Sequence, residues 1–254
     1  MESSATEWLL KEAGDKEKYM DDTYTSLAQR YDAFHGSMPL NGAQRGKDQI
    51  MKMIKPKRGT LFLDMAGGTG DMTVSFLKYQ ASVNKDKEST AVVFDLNKGM
   101  LEVARRRLED TGWLEQAKVV HGNAEDLSMF GDGSFDIYCC VFGLHNMPNH
   151  EKVLKEAFRV IKPGGRLVIG EINTGTRRVA RALIRMLFVH VIFPIAYHRL
   201  GDSAMTDRLA KSALGFPAPD KFVQAVKNAG FRAEGRGYKT CALGLGAVYF
   251  GIKP

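Results

Sequence analysis

The sequence contains few cysteines, and they are not arranged for a disulfide framework or a zinc site. Only Cys139, Cys140 and Cys241 occur among 254 residues, and no two of them form a C-x-x-C pair. Zinc ribbons and dithiol redox sites require such spacings. The three thiols lie in apolar, strand-like runs, where cysteine usually packs as a small inert side chain. We therefore expect a reducing compartment and no metal centre.

Apolar stretches long enough for a transmembrane helix are also missing. The run at residues 183–196 is interrupted by Arg185, His190 and Pro194. Residues 1–22 have no apolar signal core, and they are acidic, unlike an arginine-rich transit peptide. The sequence therefore predicts neither a membrane span nor an import signal.

The overall composition is that of an ordinary soluble domain. Hydrophobic residues make up 44% and charged residues 26%, with a net charge of +7, which excludes a disordered chain or a collagen-like fibre. The basic surplus includes an arginine cluster at residues 105–107 and another at residues 177–185. We interpret the first cluster as a solvated helix face. Because aromatic residues do not alternate with the basic ones, nucleic acid is not an expected partner.

Apolar strand-like segments alternate with helical segments through most of the chain. The predicted strands are residues 61–64, 91–95, 118–121, 135–142, 166–171, 231–239 and 240–253, and the predicted helices are residues 43–54, 72–79, 98–110, 150–161 and 219–229. This alternation predicts a parallel sheet covered by helices on both faces. Without repeats or a visible linker, we predict one domain over residues 1–254, with an N-terminal helical cap (1–55) and an inserted helical lid (174–215).

A glycine-rich turn follows the first predicted strand. Residues 64–71 read Asp-Met-Ala-Gly-Gly-Thr-Gly-Asp. Glycines at this position let the backbone approach a ligand closely, and the next helix begins with unpaired N–H donors. Taken alone, the turn is equally consistent with a plain tight connection between a strand and a helix.

Polar residues near the ends of neighbouring strands favour a nucleotide site. Asp95 ends the second strand, where it can accept hydrogen bonds from a ribose diol. Asn123 and Ala124 follow the third strand and suit an adenine edge and ring face. Asp64 would repel a pyrophosphate, whereas it would attract a sulfonium and an ammonium group. The charge pattern therefore favours S-adenosyl-L-methionine over a dinucleotide.

Several motifs resemble those of the ubiquinone/menaquinone biosynthesis C-methyltransferases, a class I S-adenosylmethionine-dependent family. They are LDMAGGTGD (63–71), VFDLNKGM (93–100), GNAE (122–125), RVIKPGG (159–165) and AVYFGIK (247–253). The resemblance runs from about residue 24 to the C-terminus. It implies a Rossmann-like α/β fold with a seven-stranded, mostly parallel sheet. It also implies an enzyme that methylates a carbon of a prenylated benzoquinol or related phenolic acceptor.

The resemblance further implies the residues of the donor site. Those expected to hold S-adenosyl-L-methionine are Asp64, Gly67, Gly68, Thr69, Gly70, Asp95, Leu96, Met100, Asn123, Ala124 and Cys140. Cys140 stands where the family commonly has serine.

The acceptor half of the family pattern is matched only in part. The family's opening motif retains Tyr31, Asp32, Met38, Arg45, Lys47 and Asp48, and its F-G-x-R-N signature reads F-G-L-H-N at residues 142–146. Methylation of a hydroxylated ring carbon requires loss of a phenolic proton, and histidine suits proton transfer near neutral pH. We expect His145 to transfer protons, and Tyr31 and Asn146 to orient the acceptor oxygen. The alternatives are a histidine satisfied at a strand end and a tyrosine that caps a core.

Other functions and partners remain open. The alternatives to quinol methylation are methylation of another small acceptor and a non-catalytic nucleotide-binding scaffold in a biosynthetic complex. Residues 183–196 are either core packing or a lid for a polyprenyl tail, with the second arginine cluster at an anionic membrane surface. The resemblance implies the matrix side of the mitochondrial inner membrane, with the cytoplasm as the alternative, and a homodimer or a biosynthetic complex as the assembly.

Overall fold

A computed structural model describes residues 42–173, 175, 178–192, 194–195, 212–241 and 244–254. Its strands are β1 (Leu61–Met65), β2 (Thr90–Asp95), β3 (Ala117–His121), β4 (Phe135–Val141), β5 (Ile161–Ile172), β6 (Arg232–Cys241) and β7 (Gly246–Ile252). Within the described residues they form one seven-stranded sheet in the order β3-β2-β1-β4-β5-β7-β6. Strands β1 to β5 pair in parallel, whereas β7 is antiparallel to both β5 and β6. This is the predicted Rossmann-like sheet.

Two of the helices begin at an asparagine cap. The helices are α1 (Gly42–Ile54), α2 (Asp71–Ser82), α3 (Lys98–Asp110), α4 (His150–Val160), α5 (Arg178–Leu187) and α6 (Pro219–Asn228). Asn97 caps α3 by accepting a hydrogen bond from the Met100 N–H at 2.7 Å, and Asn149 caps α4 through the Lys152 N–H at 3.0 Å. Short 3-10 turns span Leu114–Gln116 and Leu144–Asn146, and a π-helical turn, Phe188–Ile192, follows α5.

The hydrophobic core lies on both faces of the sheet. On one face, α1, α2 and α3 pack against side chains such as Phe62, Val93 and Ile137. On the other face, α4 and α6 pack against a cluster that includes Tyr138 and Tyr249. Since the central strands are covered on both sides, the edge at their carboxyl ends remains the natural place for a ligand.

Several boundaries differ from the sequence prediction, and those at β4, β5 and the last two strands are described here. Strand β4 ends at Val141, because Phe142 adopts a left-handed backbone with φ 56°. Strand β5 starts at Ile161, earlier than predicted, because Ile161 pairs with Phe135 and a register shift absorbs the Pro-Gly-Gly turn that follows. Strand β6 ends at Cys241 and β7 starts at Gly246, whereas the predicted boundary between them lies at residues 239–240.

Part of the predicted cap and lid lies outside the described residues. Of the cap, the structure describes α1, so Tyr31 is outside it. Of the lid, it describes α5, the π-helical turn and a few flanking residues. No helix among the described residues is both long enough and apolar enough to cross a bilayer.

Candidate functional site

Apart from Tyr31, the predicted site residues all lie at or near the carboxyl ends of β1, β2, β3 and β4. Since these strands are neighbours in the parallel sheet, the structure brings the glycine turn, Asp95, Asn123 and the segment after β4 to one edge. This is where open α/β sheets bind ligands.

The glycine turn is built into the sheet by close backbone contacts. The Gly67 N–H donates to the Phe94 carbonyl of β2 at 3.1 Å. A side chain at Gly67 would lie 2.8 Å from Cγ1 of Val93 and 2.9 Å from the Asp64 carbonyl oxygen, so only glycine fits there. A side chain at Gly68 would meet no atom within 4 Å. The turn therefore packs against β2 at Gly67 and borders open space at Gly68.

Asp95 joins the end of β2 to the glycine turn. Its Oδ2 accepts the Gly68 N–H at 2.9 Å, and its Oδ1 accepts the Asn97 N–H at 2.8 Å. Burial raises the pKa of this carboxyl above its ordinary value, although these hydrogen bonds oppose the shift. Each carboxylate oxygen has a second lone pair. Asp95 can therefore accept ribose hydroxyls while it keeps its backbone contacts.

Asp64 is a buried acid, only 1% exposed, beneath the same turn. Its Oδ2 accepts hydrogen bonds from the Thr73 N–H at 2.9 Å and the Thr73 hydroxyl at 2.8 Å. Burial raises its pKa to about 7, and the negative charges of Asp71 and Asp95 add to this increase. The carboxyl thus anchors the first turn of α2, and a cation bound nearby would favour its ionised form.

Behind the turn, Asp71 forms ion pairs with two cations. Lys47 of α1 lies 2.9 Å from its Oδ2, and Arg107 of α3 pairs with its Oδ1. Arg107 also donates to the Thr69 hydroxyl at 3.0 Å. The interpretation of residues 105–107 as a solvated face is therefore wrong for Arg107, because α3 packs close enough to α2 for its guanidinium to reach the turn. The Thr69 side chain, 2% exposed, is held from this side.

The residues after β2 and β3 flank the other end of the site. Met100 is buried and Leu96 is half-buried beside Asp95. Asn123 uses its side-chain oxygen to accept the Glu125 N–H at 2.8 Å, which fixes the loop after β3. Ala124 is buried. These positions suit the apolar face and polar edge of an adenine.

The segment after β4 packs against the glycine turn. Cys140 is fully buried, and its burial raises the pKa of its thiol well above the ordinary value. A side chain at Gly143 would collide with Cβ of Ala66, the residue before Gly67, and would crowd the Cys140 sulfur. Ala66 and Phe142 both have left-handed backbones, with φ 51° and 56°. Strained residues of this kind cluster at functional sites.

His145 is paired with a glutamate that the sequence analysis missed. Its Nδ1 lies 2.8 Å from Oε2 of Glu171 at the end of β5, and its backbone N–H donates to Oε1 at 3.1 Å. The exposed fractions of the two side chains are 6% and 0%. An ionised carboxylate only accepts, so Nδ1 donates to it, and in the neutral form of the ring Nε2 then carries the lone pair. The sequence does contain one signal for Glu171, because this acid directly follows the apolar run Val-Ile-Gly in the predicted fifth strand.

Two neighbours hold the 3-10 turn that carries His145. The Ser212 hydroxyl donates to the His145 carbonyl at 2.6 Å and lies 3.3 Å from Oδ1 of Asn146. His150 at the start of α4 forms a hydrogen bond with the Leu144 backbone, and its burial lowers its pKa. The arrangement can therefore present a fixed imidazole close to the predicted donor site.

Comparison with known proteins connects this geometry to a family. The sequence model of the ubiE/COQ5 methyltransferase family matches residues 12–253. A ubiquinone/menaquinone biosynthesis C-methyltransferase from Bradyrhizobium diazoefficiens is 33% identical over 241 residues, covering 94% of this chain and 92% of its own. The mitochondrial 2-methoxy-6-polyprenyl-1,4-benzoquinol methylase of Schizosaccharomyces pombe is 31% identical over 245 residues, with coverages of 94% and 80%.

A solved structure supports the fold alone. The crystal structure of a SAM-dependent methyltransferase from Thermotoga maritima has a TM-score of 0.61 at 20% identity, and the match covers 92% of this chain and 99% of that one.

Proposed function

The chain belongs to the ubiE/COQ5 methyltransferase family, and on that premise we propose that it methylates a ring carbon of a prenylated benzoquinol in quinone biosynthesis. Membership makes it an S-adenosylmethionine-dependent methyltransferase. The observation that carries the acceptor proposal is the 2.8 Å contact between Nδ1 of His145 and Glu171, because His145 lies on the segment after β4 that packs against the glycine turn.

The residues at the sheet edge fit the methyl donor. Open space borders Gly68, Asp95 retains lone pairs for a ribose, and the buried carboxyl of Asp64 would be favoured in its charged form by a nearby cation. In this proposal, Asn123 and Ala124 hold the adenine with Leu96 and Met100, while the glycine turn from Gly67 to Gly70, including Thr69, borders the methionine portion. Cys140 lies buried beneath the proposed donor site.

Methylation of a phenolic ring carbon requires a nucleophilic ring, which forms when the phenol loses its proton. S-adenosyl-L-methionine, when bound, would supply the methyl group: the S–CH3 bond breaks as the ring carbon bonds to the methyl, S-adenosylhomocysteine leaves, and the proton on that carbon is then lost to restore the aromatic ring. Glu171 holds Nδ1 of His145 as the donor nitrogen, so that Nε2 can accept the phenolic proton directly or through a water molecule. Asn146 beside it orients the acceptor oxygen. Tyr31 keeps the same proposed role, although it lies outside the described residues.

The lid residues support a prenylated acceptor and contact with a membrane surface. On α5 and just after it, six large apolar side chains are exposed: Leu183, Met186, Leu187, Val189, Val191 and Ile195. In this part of the chain, Ile184 is half-buried and Phe188 is buried. An amphipathic helix that leaves apolar residues exposed, with arginines in its sequence, suits an anionic lipid surface.

We extend the mitochondrial location named for the yeast relative to this chain, and we propose assembly as a homodimer or within a biosynthetic complex.

Calorimetry and a methyl-transfer assay test the proposal together. S-adenosylhomocysteine should bind the purified chain, and a reduced 2-methoxy-6-prenyl-1,4-benzoquinol should gain one methyl group on carbon, detected by mass spectrometry. Absence of binding would favour the scaffold function. Binding without transfer to this quinol, but with transfer to a smaller phenol, would favour another acceptor.

A further inference from the structure

Phe142 is an aromatic residue in an unusual position. It follows the last residue of β4, its side chain is 49% exposed, and its backbone has φ 56°. A bulky residue in the left-handed region is a genuine outlier, because its Cβ crowds its own backbone. Such strain persists only where the surroundings impose it.

The surroundings of Phe142 do impose it. The Phe142 N–H donates to the Gly170 carbonyl of β5 at 2.8 Å. The next residue, Gly143, packs so closely on Ala66 that no side chain fits between them. These contacts fix the backbone on both sides of Phe142 and so hold the residue at the carboxyl edge of the sheet.

The position of Phe142 lies between the two halves of the proposed reaction. On one side, Gly143 contacts Ala66, which leads into the glycine turn of the donor site. On the other side, Gly170 precedes Glu171, the partner of His145. A carbon that receives a methyl group while its phenol loses a proton must lie between the donor and the base.

We infer that Phe142 is a specificity-determining residue whose ring packs against the flat phenolic or quinol ring of the acceptor. Aromatic rings favour offset or edge-to-face contact with each other, beyond the apolar area that they bury. This assignment rests on the proposed function and adds to it the residue that selects a planar aromatic acceptor. The adenine is held elsewhere, after β2 and β3, so donor affinity does not depend on this ring.

Replacement of the ring tests the assignment. In Phe142→Ala, the KM for a short-chain 2-methoxy-6-prenyl-1,4-benzoquinol should increase by about three- to tenfold, as the loss of one aromatic contact implies. Phe142→Tyr should keep the KM of the wild type, and the Kd for S-adenosylhomocysteine should be unchanged in both variants. Leu114→Ala serves as the control, because it removes another exposed apolar side chain from the turn before β3, at the opposite edge of the sheet.

A second pair of variants tests the strained backbone. Phe142→Gly and Phe142→Ala both remove the ring, but only glycine relieves a left-handed backbone, so the glycine variant should melt about 2–4 °C higher. Equal melting temperatures would overturn the argument from strain, and an unchanged KM in Phe142→Ala would overturn the ring contact. An equal rise in KM and in the Kd for S-adenosylhomocysteine would also overturn it. If the wild type itself does not methylate the quinol, the proposed function fails, whereas an active wild type with an unaffected Phe142→Ala refutes this inference alone.

Discussion

Glu171 contacts His145 through both of its carboxylate oxygens, one at the imidazole Nδ1 and the other at the backbone N–H. It therefore fixes both the tautomer of the ring and the position of the turn that carries it. We expect Glu171→Gln and His145→Ala each to lower kcat by about 100-fold or more, because the ring loses its oriented acceptor nitrogen or is absent. Steady-state methyl-transfer assays measure this loss.

The same variants should bind the donor product normally, since neither residue belongs to the proposed donor site. The Kd for S-adenosylhomocysteine, measured by calorimetry, should stay within about twofold of the wild type. Unchanged kcat in His145→Ala would remove this residue from the mechanism.

Asp95→Asn should weaken donor binding. The carboxylate accepts two backbone N–H groups and is proposed to accept a ribose diol as well, whereas an amide has only one acceptor oxygen. We expect the Kd for S-adenosylhomocysteine to rise by about 10- to 100-fold, in line with the loss of one or two hydrogen bonds to a charged group. The exposed Asp110→Asn at the end of α3 is a matched control. Equal affinities in the two variants would contradict the assignment.

Asp64 should make the stability of the protein depend on pH. Its pKa is about 7 in the folded protein against an ordinary value of 3.8, because burial disfavours the charged form. Between these values the folded state binds more protons than the unfolded state, so this contribution to stability is full below about pH 4 and is lost as the pH rises to about 7.

The variant Asp64→Asn removes this proton equilibrium. The melting temperature of the wild type should therefore fall relative to that of Asp64→Asn between about pH 4 and about pH 7. Thermal melts without ligand measure the difference, and Asp110→Asn should follow the wild type. Parallel curves for the wild type and Asp64→Asn would show that the buried carboxyl does not titrate in this range.

Contact with a membrane surface should depend on the exposed apolar residues near α5. The double variant Leu183→Glu/Met186→Glu should reduce sedimentation with anionic vesicles by about tenfold or more, because it replaces apolar area that lipid would bury. Val83→Glu is the control, since Val83 is equally exposed, 59% against 56% for Leu183, but lies at the end of α2. Equal binding by the two variants would contradict the proposal.

The parts of the fold that depend on local signals were predictable from the sequence. Helix α3 has the predicted bounds, and local residues account for them: Asn97 caps its start and Gly112 follows its end. The alternation of apolar strands and amphipathic helices likewise predicted the parallel strands. The glycine turn and Asp95 were predicted to converge because parallel strands end at one edge.

The side-chain partners within the site were harder to predict, because they depend on which elements are neighbours in space. His145 and Glu171 meet because β5 pairs beside β4, although 26 positions separate them in sequence. Arg107 reaches Thr69 only because two helices pack closely at Gly70 and Ala104. A sequence pattern gives no register for such contacts, so the arginine cluster at residues 105–107 predicts only a solvated helix face.

The ion pairs at Asp71 give the first described helix a role in the donor site. Asp71 is the first residue of α2, directly after the glycine turn, and Lys47 attaches α1 to it while Arg107 attaches α3. Any displacement of α1 must either break the Lys47 pair or pull on the residue next to the turn. Because such coupling is reciprocal, a donor that stabilises the glycine turn also stabilises the position of α1. Protection of the α1 amides from hydrogen exchange would therefore report whether the donor is bound.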